Sequence, residues 1–179
     1  QQIAMSDEGA VEAAKGALEQ GGVILYPTDT LYGLGADALS DTALDRVYAL
    51  KGRDEQKPIH ALVADLEMAE QYGEVDDFAR RLAAKFLPGP LSLILKKKEH
   101  VTTGIGRGMT TIGIRIVDHP FCRALVAAYG SPITTTSANR AGEPTLLNVQ
   151  DILKQFDEKQ SMIDLVIDGG ALAARAPST

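Results

Sequence analysis

The sequence predicts an α/β fold, a mixed sheet with helices packed on it. Three observations carry this reading. Short runs of β-branched residues alternate along the chain with helix-periodic segments, which is the pattern of strands packed under helices. Several expected strands end in clusters of Thr, Ser, Asp or Asn, the edge at which open α/β sheets present ligand-binding groups. The length, 179 residues with 45% hydrophobic and 23% charged residues, suits one well-filled core without staples.

Taken in order, Val11, Ala14 and Leu18 recur at helical spacing between a cap at Ser6 or Asp7 and a stop at Gly21-Gly22. Val23 to Tyr26 reads as a strand buried on both faces that ends at Pro27. Ser40 or Asp41 caps a helix with Leu44, Val47 and Leu50 on one stripe, and that helix delivers Lys51 at its end. Further strands are expected at 59–63, 91–95, 111–117, 132–136 and 165–167. Helices are expected at 66–72, 78–86, after Asp118 with Phe121, Leu125 and Ala128 inward, and at 149–156. The segment 111–117 alternates with period two, so Thr111, Gly113 and Arg115 share the face opposite Ile112, Ile114 and Ile116. Gly113 is expected to leave room for a ligand there.

Charge and composition exclude several classes. With 18 Lys+Arg against 24 Asp+Glu the net charge is −6, which disfavours a chain-wide polyanion-binding surface, so any phosphate site must be local. The single cysteine, Cys122, cannot form an internal disulfide, which fits a reducing cytoplasm. No long apolar run or secretory leader is visible, and no membrane association is expected. Walker A, HExxH and paired CxxC patterns are lacking, and the histidines His60, His100 and His119 are too dispersed for a local metal cluster. Gly104 to Gly108 precedes a strand instead of opening a helix, so it reads as a mobile hairpin loop and candidate lid, not a dinucleotide fingerprint.

Four clusters carry chemistry. Pro27 to Gly35 sets hydroxyls and Asp29 at a strand's end, or closes a turn on itself. Lys51-Gly52-Arg53 can bracket a polyphosphate as a point charge plus a fork, or simply complement a helix terminus. Arg115, mid-strand, must reach solvent, meet an internal carboxylate, or line an anion site. Thr134 to Asn139 is a dense run of small donors and acceptors.

In this order, Pro27 to Leu34, Lys51-Gly52-Arg53, Pro88-Gly89-Pro90-Leu91-Ser92, Ile114-Arg115, Ser137-Ala138-Asn139 and Ile167-Asp168-Gly169-Gly170 resemble the YrdC/TsaC family of threonylcarbamoyl-AMP synthases. The similarity runs from about Gly21 to Thr179. It implies an α/β, YrdC-like domain over 1–179, a twisted mixed sheet with flanking helices and a central concave cavity, that lacks its C-terminal end. The implied enzyme is a nucleotidyltransferase making threonylcarbamoyl-AMP and pyrophosphate from L-threonine, bicarbonate and ATP, with Mg2+ accompanying ATP. A downstream transferase would then modify adenosine 37 of tRNA. By resemblance Lys51 and Arg53 are catalytic and, with Thr111, Ser137, Asn139 and Thr145, bind ATP. Thr28, His60, Arg115, Thr135 and Ser178 would hold L-threonine, with no protein side chain on the metal. Alternatives are a YciO-like or carbamoyl-adenylate paralogue, or a double-stranded RNA or tRNA-binding module fed by Lys96-Lys97-Lys98 and Arg107.

Overall fold

A computed structural model describes residues 1–54, 57–174 and 178. The strands are β1 (Gln2–Ala4), β2 (Ile24–Pro27), β3 (Tyr32–Gly35), β4 (His60–Leu62), β5 (Gly73–Glu74), β6 (Ser92–Lys97), β7 (Thr111–Arg115), β8 (Ile133–Ser137) and β9 (Leu165–Asp168). They form one sheet in the order β1-β9-β2-β3-β8-β4-β7-β6-β5. Pairing is mixed: β4 runs parallel to β7 and β2 to β9, while β8 is antiparallel to both β3 and β4. The helices are α1 (Ala10–Glu19), α2 (Asp41–Lys51), α3 (Leu66–Tyr72), α4 (Asp77–Phe86), α5 (Pro120–Tyr129) and α6 (Val149–Phe156).

Strand alternation feeds two cores. Ile24, Tyr26, Leu62, Ile133 and Ile167 pack on one face against Ala14 and Leu18 of α1 and Phe121, Cys122 and Leu125 of α5. Val23, Leu25, Leu34, Ala61, Ile112 and Ile114 face the other way, toward α2 and α6. A one-residue shift in register would exchange these sets.

The register explains where a hollow opens. Ile133, Leu62 and Arg115 form one cross-strand row, and Thr135, His60 and Gly113 form the next on the same face. The first row begins under α5 with apolar side chains. The second carries polar groups and a glycine, and the space over it stays open.

Local chemistry sets most boundaries. Ser40 accepts a hydrogen bond from the Ala43 N–H, and α2 ends at Gly52 in the left-handed region (φ 60°), where glycine has no Cβ to clash. Two expected caps differ. α1 starts after Gly9 with no side-chain cap, because Ser6 and Asp7 belong to a preceding turn. α5 starts after His119, since Pro120 at its first turn needs no donor; its buried stripe is Phe121, Cys122, Leu125 and Val126, with Ala128 exposed.

The sequence reading missed β1, β3 and β5. β3 contains Gly33 and Gly35, which normally weaken a strand. Here a Cβ at Gly35 would lie 2.8 Å from Tyr26 Cε1, so the buried phenol ring of β2 requires the glycine. Gly104–Gly106 forms a buried 3-10 turn and not a free loop. The Gly104 and Ile105 N–H groups donate to Asp41 and to the Ala38 carbonyl, and Arg107 pairs with Asp45. The expected lid is pinned against α2.

Candidate functional site

The hollow encloses about 200 Å³ between the ends of β2, β3, β4, β7 and β8. Of the residues expected at a site, Thr28, Arg53, His60, Arg115, Thr135, Ser137 and Ser178 line it. Lys51, Thr111, Asn139 and Thr145 are not among its lining residues. Thr111 and Thr145 are exposed. Thr179, the last residue of the sequence, lies outside the described residues.

Lys51 is 2% exposed. Helix α2 directs its side chain inward, where Nζ donates to the Ser137 carbonyl, to the Asn139 carbonyl at 2.9 Å and to Asn139 Oδ1 at 3.2 Å. The Lys51 carbonyl in turn accepts the Ala141 N–H. Ser137 Oγ donates to Asn139 Oδ1 at 2.6 Å, and Asn139 Nδ2 donates to the Glu143 carbonyl. The expected point charge for phosphate is therefore the bracket of the Ser137–Asn139 loop. Burial, and secondly the charge of Arg53, push its ammonium down to about 8. Arg53 is half-buried at the cavity wall and donates to the carbonyls of Lys57 and Pro58.

Arg115, 5% exposed, takes one of the three routes open to it and meets an internal carboxylate. Its Nη2 donates to Asp29 Oδ1 at 3.0 Å, and Asp29 Oδ2 accepts the Asp118 N–H. Arg115 Nε and the hydroxyl of Ser92, its cross-strand partner on β6, are buried without a hydrogen-bond partner. The sequence reading left Asp29 out of the site; its signal was the expense of burying Arg115 without a carboxylate.

Thr28 lines the cavity while closing the turn its composition allowed. Its hydroxyl donates to the Leu31 carbonyl and accepts the Thr30 and Leu31 N–H groups. The room expected beside Gly113 is filled: a Cβ there would lie 2.3 Å from His60 Cδ2 and 2.8 Å from Nε2. Cδ2, Cγ and Nε2 of the imidazole occupy the space beside the glycine. Burial first, then the charges of Arg115 and Arg53, lower its pKa from the ordinary 6.5, so the ring is neutral at neutral pH.

Tyr32 ties in the last strand. Its hydroxyl donates to the Gly170 carbonyl at 2.7 Å and accepts the Gly169 N–H at 2.9 Å. Lys96 pairs with Glu74 and Arg107 with Asp45, and neither lines the hollow. The basic concavity expected of an RNA-binding module is thus not fed by them. No helix among the described residues is long and apolar enough to cross a membrane.

A mixed sheet whose strand ends converge on a small hollow with two guanidinium groups and several hydroxyls defines an α/β protein built for a small anionic or zwitterionic ligand. Residues 16–179 match the Sua5/YciO/YrdC family, described as telomere recombination. The chain is 40% identical over 169 residues to a putative threonylcarbamoyl-AMP synthase of Methanocaldococcus jannaschii, covering 94% of this chain and 78% of that one. It is 34% identical to the threonylcarbamoyl-AMP synthase of Pyrococcus abyssi, covering 97% of this chain and 50% of the relative. The crystal structure of P. abyssi Sua5 complexed with L-threonine superposes with TM-score 0.86 at 33% identity, over 97% of this chain and 50% of that one. The chain thus spans about half the length of these P. abyssi proteins. It belongs to the Sua5/YciO/YrdC family.

Proposed function

We propose that the chain is a threonylcarbamoyl-AMP synthase, forming threonylcarbamoyl-AMP and pyrophosphate from L-threonine, bicarbonate and ATP. The observation that carries this reading is the convergence of Arg53, His60, Arg115, Thr135, Ser137 and Ser178 on one hollow in a chain whose relatives bear that name. The complex of P. abyssi Sua5 with L-threonine supports the amino acid as one substrate.

The chemistry suits these residue types. The amino group of threonine becomes a carbamate, and a carbamate oxygen then attacks the α-phosphorus as pyrophosphate departs. Negative charge accumulates at each stage, and the reactants must be held close, so fixed donors and cations outweigh any nucleophile. Arg53, at the cavity wall beside Ser137, is the group to meet the phosphates. Arg115, Thr28, Thr135, His60 and Ser178 surround the amino acid. Asn139 and Lys51 shape the loop that carries Ser137, and Thr111 and Thr145 are proposed to meet the nucleotide outside this lining.

Mg2+ would enter with ATP and supply charge neutralisation at the phosphate oxygens. Among the described residues no cluster could hold a metal and no carboxylate lines the cavity, so Mg2+ is read as arriving on the phosphates of ATP. The adenylate would pass to a transferase acting on tRNA, since a mixed anhydride of this kind hydrolyses readily if left free. The cytoplasm is the compartment that holds these substrates.

Pyrophosphate release from ATP and bicarbonate, compared with L-threonine, with other amino acids and with none, tests the reading. Release that requires L-threonine supports it. Release that requires a carbamoyl donor in place of L-threonine and bicarbonate would point to the carbamoyl-adenylate type of relative, and no release in any arm would refute the activity.

A further inference from the structure

Resting on that reading, we propose that His60 is the group that takes the proton from the substrate's ammonium, and that Gly113 is the positioning residue that seats its ring. Threonine carries an ammonium at neutral pH, and an ammonium has no lone pair with which to attack carbon. That proton must leave before the carbamate can form, and a base in the hollow lets the abundant ammonium form react.

Among the described residues the lining leaves one answer. Among the described residues around the cavity the side chains are hydroxyls, apolar groups, the Tyr32 phenol, Arg53, Arg115 and His60. Arginine stays protonated, and burial raises the Tyr32 phenol further from use as a base at neutral pH. His60 is the group left with an available lone pair. Its neighbours keep it in that state: Arg115 from β7 and Arg53 from beyond α2 both disfavour an imidazolium, and Asp29 is engaged by Arg115. Thr135, across β8, completes the row.

The ring is held by shape. β4 and β7 are in register at Ala61 and Ile114, which sets His60 beside Gly113. Three ring atoms lie within 2.8 Å of where a Cβ on Gly113 would be, closer than any side chain tolerates. Alanine there must push the imidazole off the strand. The glycine is a seat for the base, not space for the ligand.

The steps balance. His60 accepts one proton from the ammonium, giving the free amine and an imidazolium. The amine nitrogen bonds to the carbon of bicarbonate; the carbon–oxygen bond to bicarbonate's hydroxyl breaks, and that oxygen leaves as water with the amine's second proton. The product is the carbamate, whose oxygen then displaces pyrophosphate from ATP. The imidazolium returns its proton to solvent before the next turnover.

The pH profile of pyrophosphate release, read as kcat/KM for L-threonine, tests this on the unaltered chain. A positioned base acting on the ammonium form gives an acid limb below the ordinary histidine value of 6.5 and a plateau from there to about 8, where Lys51 begins to lose its proton. A rate that instead tracks the free amine of threonine upward through neutral and alkaline pH, with no limb below 6.5, overturns the proposal. His60→Ala should lose about 100-fold or more in kcat, lose the acid limb, and recover activity with added free imidazole. An inactive His60→Ala that binds L-threonine normally but is not rescued, or one that keeps wild-type kcat, also overturns it. Gly113→Ala should lower kcat by about tenfold or more and shift the limb; an unchanged profile removes the positioning role. Pyrophosphate release by the wild-type chain separates these outcomes from failure of the activity itself.

Discussion

Two cations are buried here, Arg115 in the lining of the hollow and Lys51 outside it, and the structure treats them differently. Arg115 faces a carboxylate, Asp29, at 3.0 Å with both side chains almost wholly enclosed. Lys51 faces carbonyl and amide oxygens of Ser137 and Asn139. The first charge is cancelled where it stands. The second is solvated by dipoles and remains a net charge, reinforced by Arg53. The positive field available to a triphosphate therefore lies at the Lys51–Arg53 end, while the Arg115 end offers hydrogen bonds and shape to a zwitterion.

The sharpest way to break this comparison is to remove each cation. Arg53→Ala, at a half-buried wall position, should cut pyrophosphate release by about 100-fold or more, as loss of a charge-stabilising donor does. Its thermal midpoint should stay close to wild type; a large drop would make Arg53 structural. Arg115→Ala should destabilise the fold by about 3–5 kcal/mol in urea unfolding, because Asp29 is left charged and enclosed. Converting Asp29 to Asn as well should recover part of that loss. If the double variant is no more stable than Arg115→Ala, the ion pair is not what holds that end.

pH separates the two ends again. The Lys51 ammonium titrates at about 8 in the folded chain and 10.5 ordinarily. Between those values the unfolded chain binds more protons, so stability rises with pH across that window and is insensitive to this group below about 8. Urea midpoints should show this rise in wild type and lack it in Lys51→Met. Activity should fall over the same interval as the bracket loses a donor. Arg53→Ala should move this window upward, since the Arg53 charge is one cause of the lowered value. The smallest effect is expected at Thr111→Ala and Thr145→Ala. Both residues are exposed, so the KM for ATP should change by no more than about tenfold, the worth of one hydrogen bond.

Much of the scaffold was legible because its signals are local. Ser40 as a cap, the helix end at Lys51, and the stripe of Leu44 and Val47 depend on neighbours within one turn, and α3 and α6 match the expected spans. β3 was not legible: the demand for its glycines comes from Tyr26, on another strand. The lid failed for the same reason. Glycines that suggest mobility in a string of residues serve close packing once Gly104 meets the Ala38 backbone.

The sequence by itself determined an alternating α/β chain, the identity of the polar clusters at its strand ends, and that Arg115 needs solvent or an anion. Their residue types and spacing are enough for that, since periodicity and the cost of burial act within a few positions. Tertiary structure alone decided that Asp29 is that anion, that Lys51 grips a loop instead of facing the cavity, and that Gly113 carries an imidazole. Each depends on groups tens of residues apart becoming neighbours through strand register, a relation that no local pattern encodes.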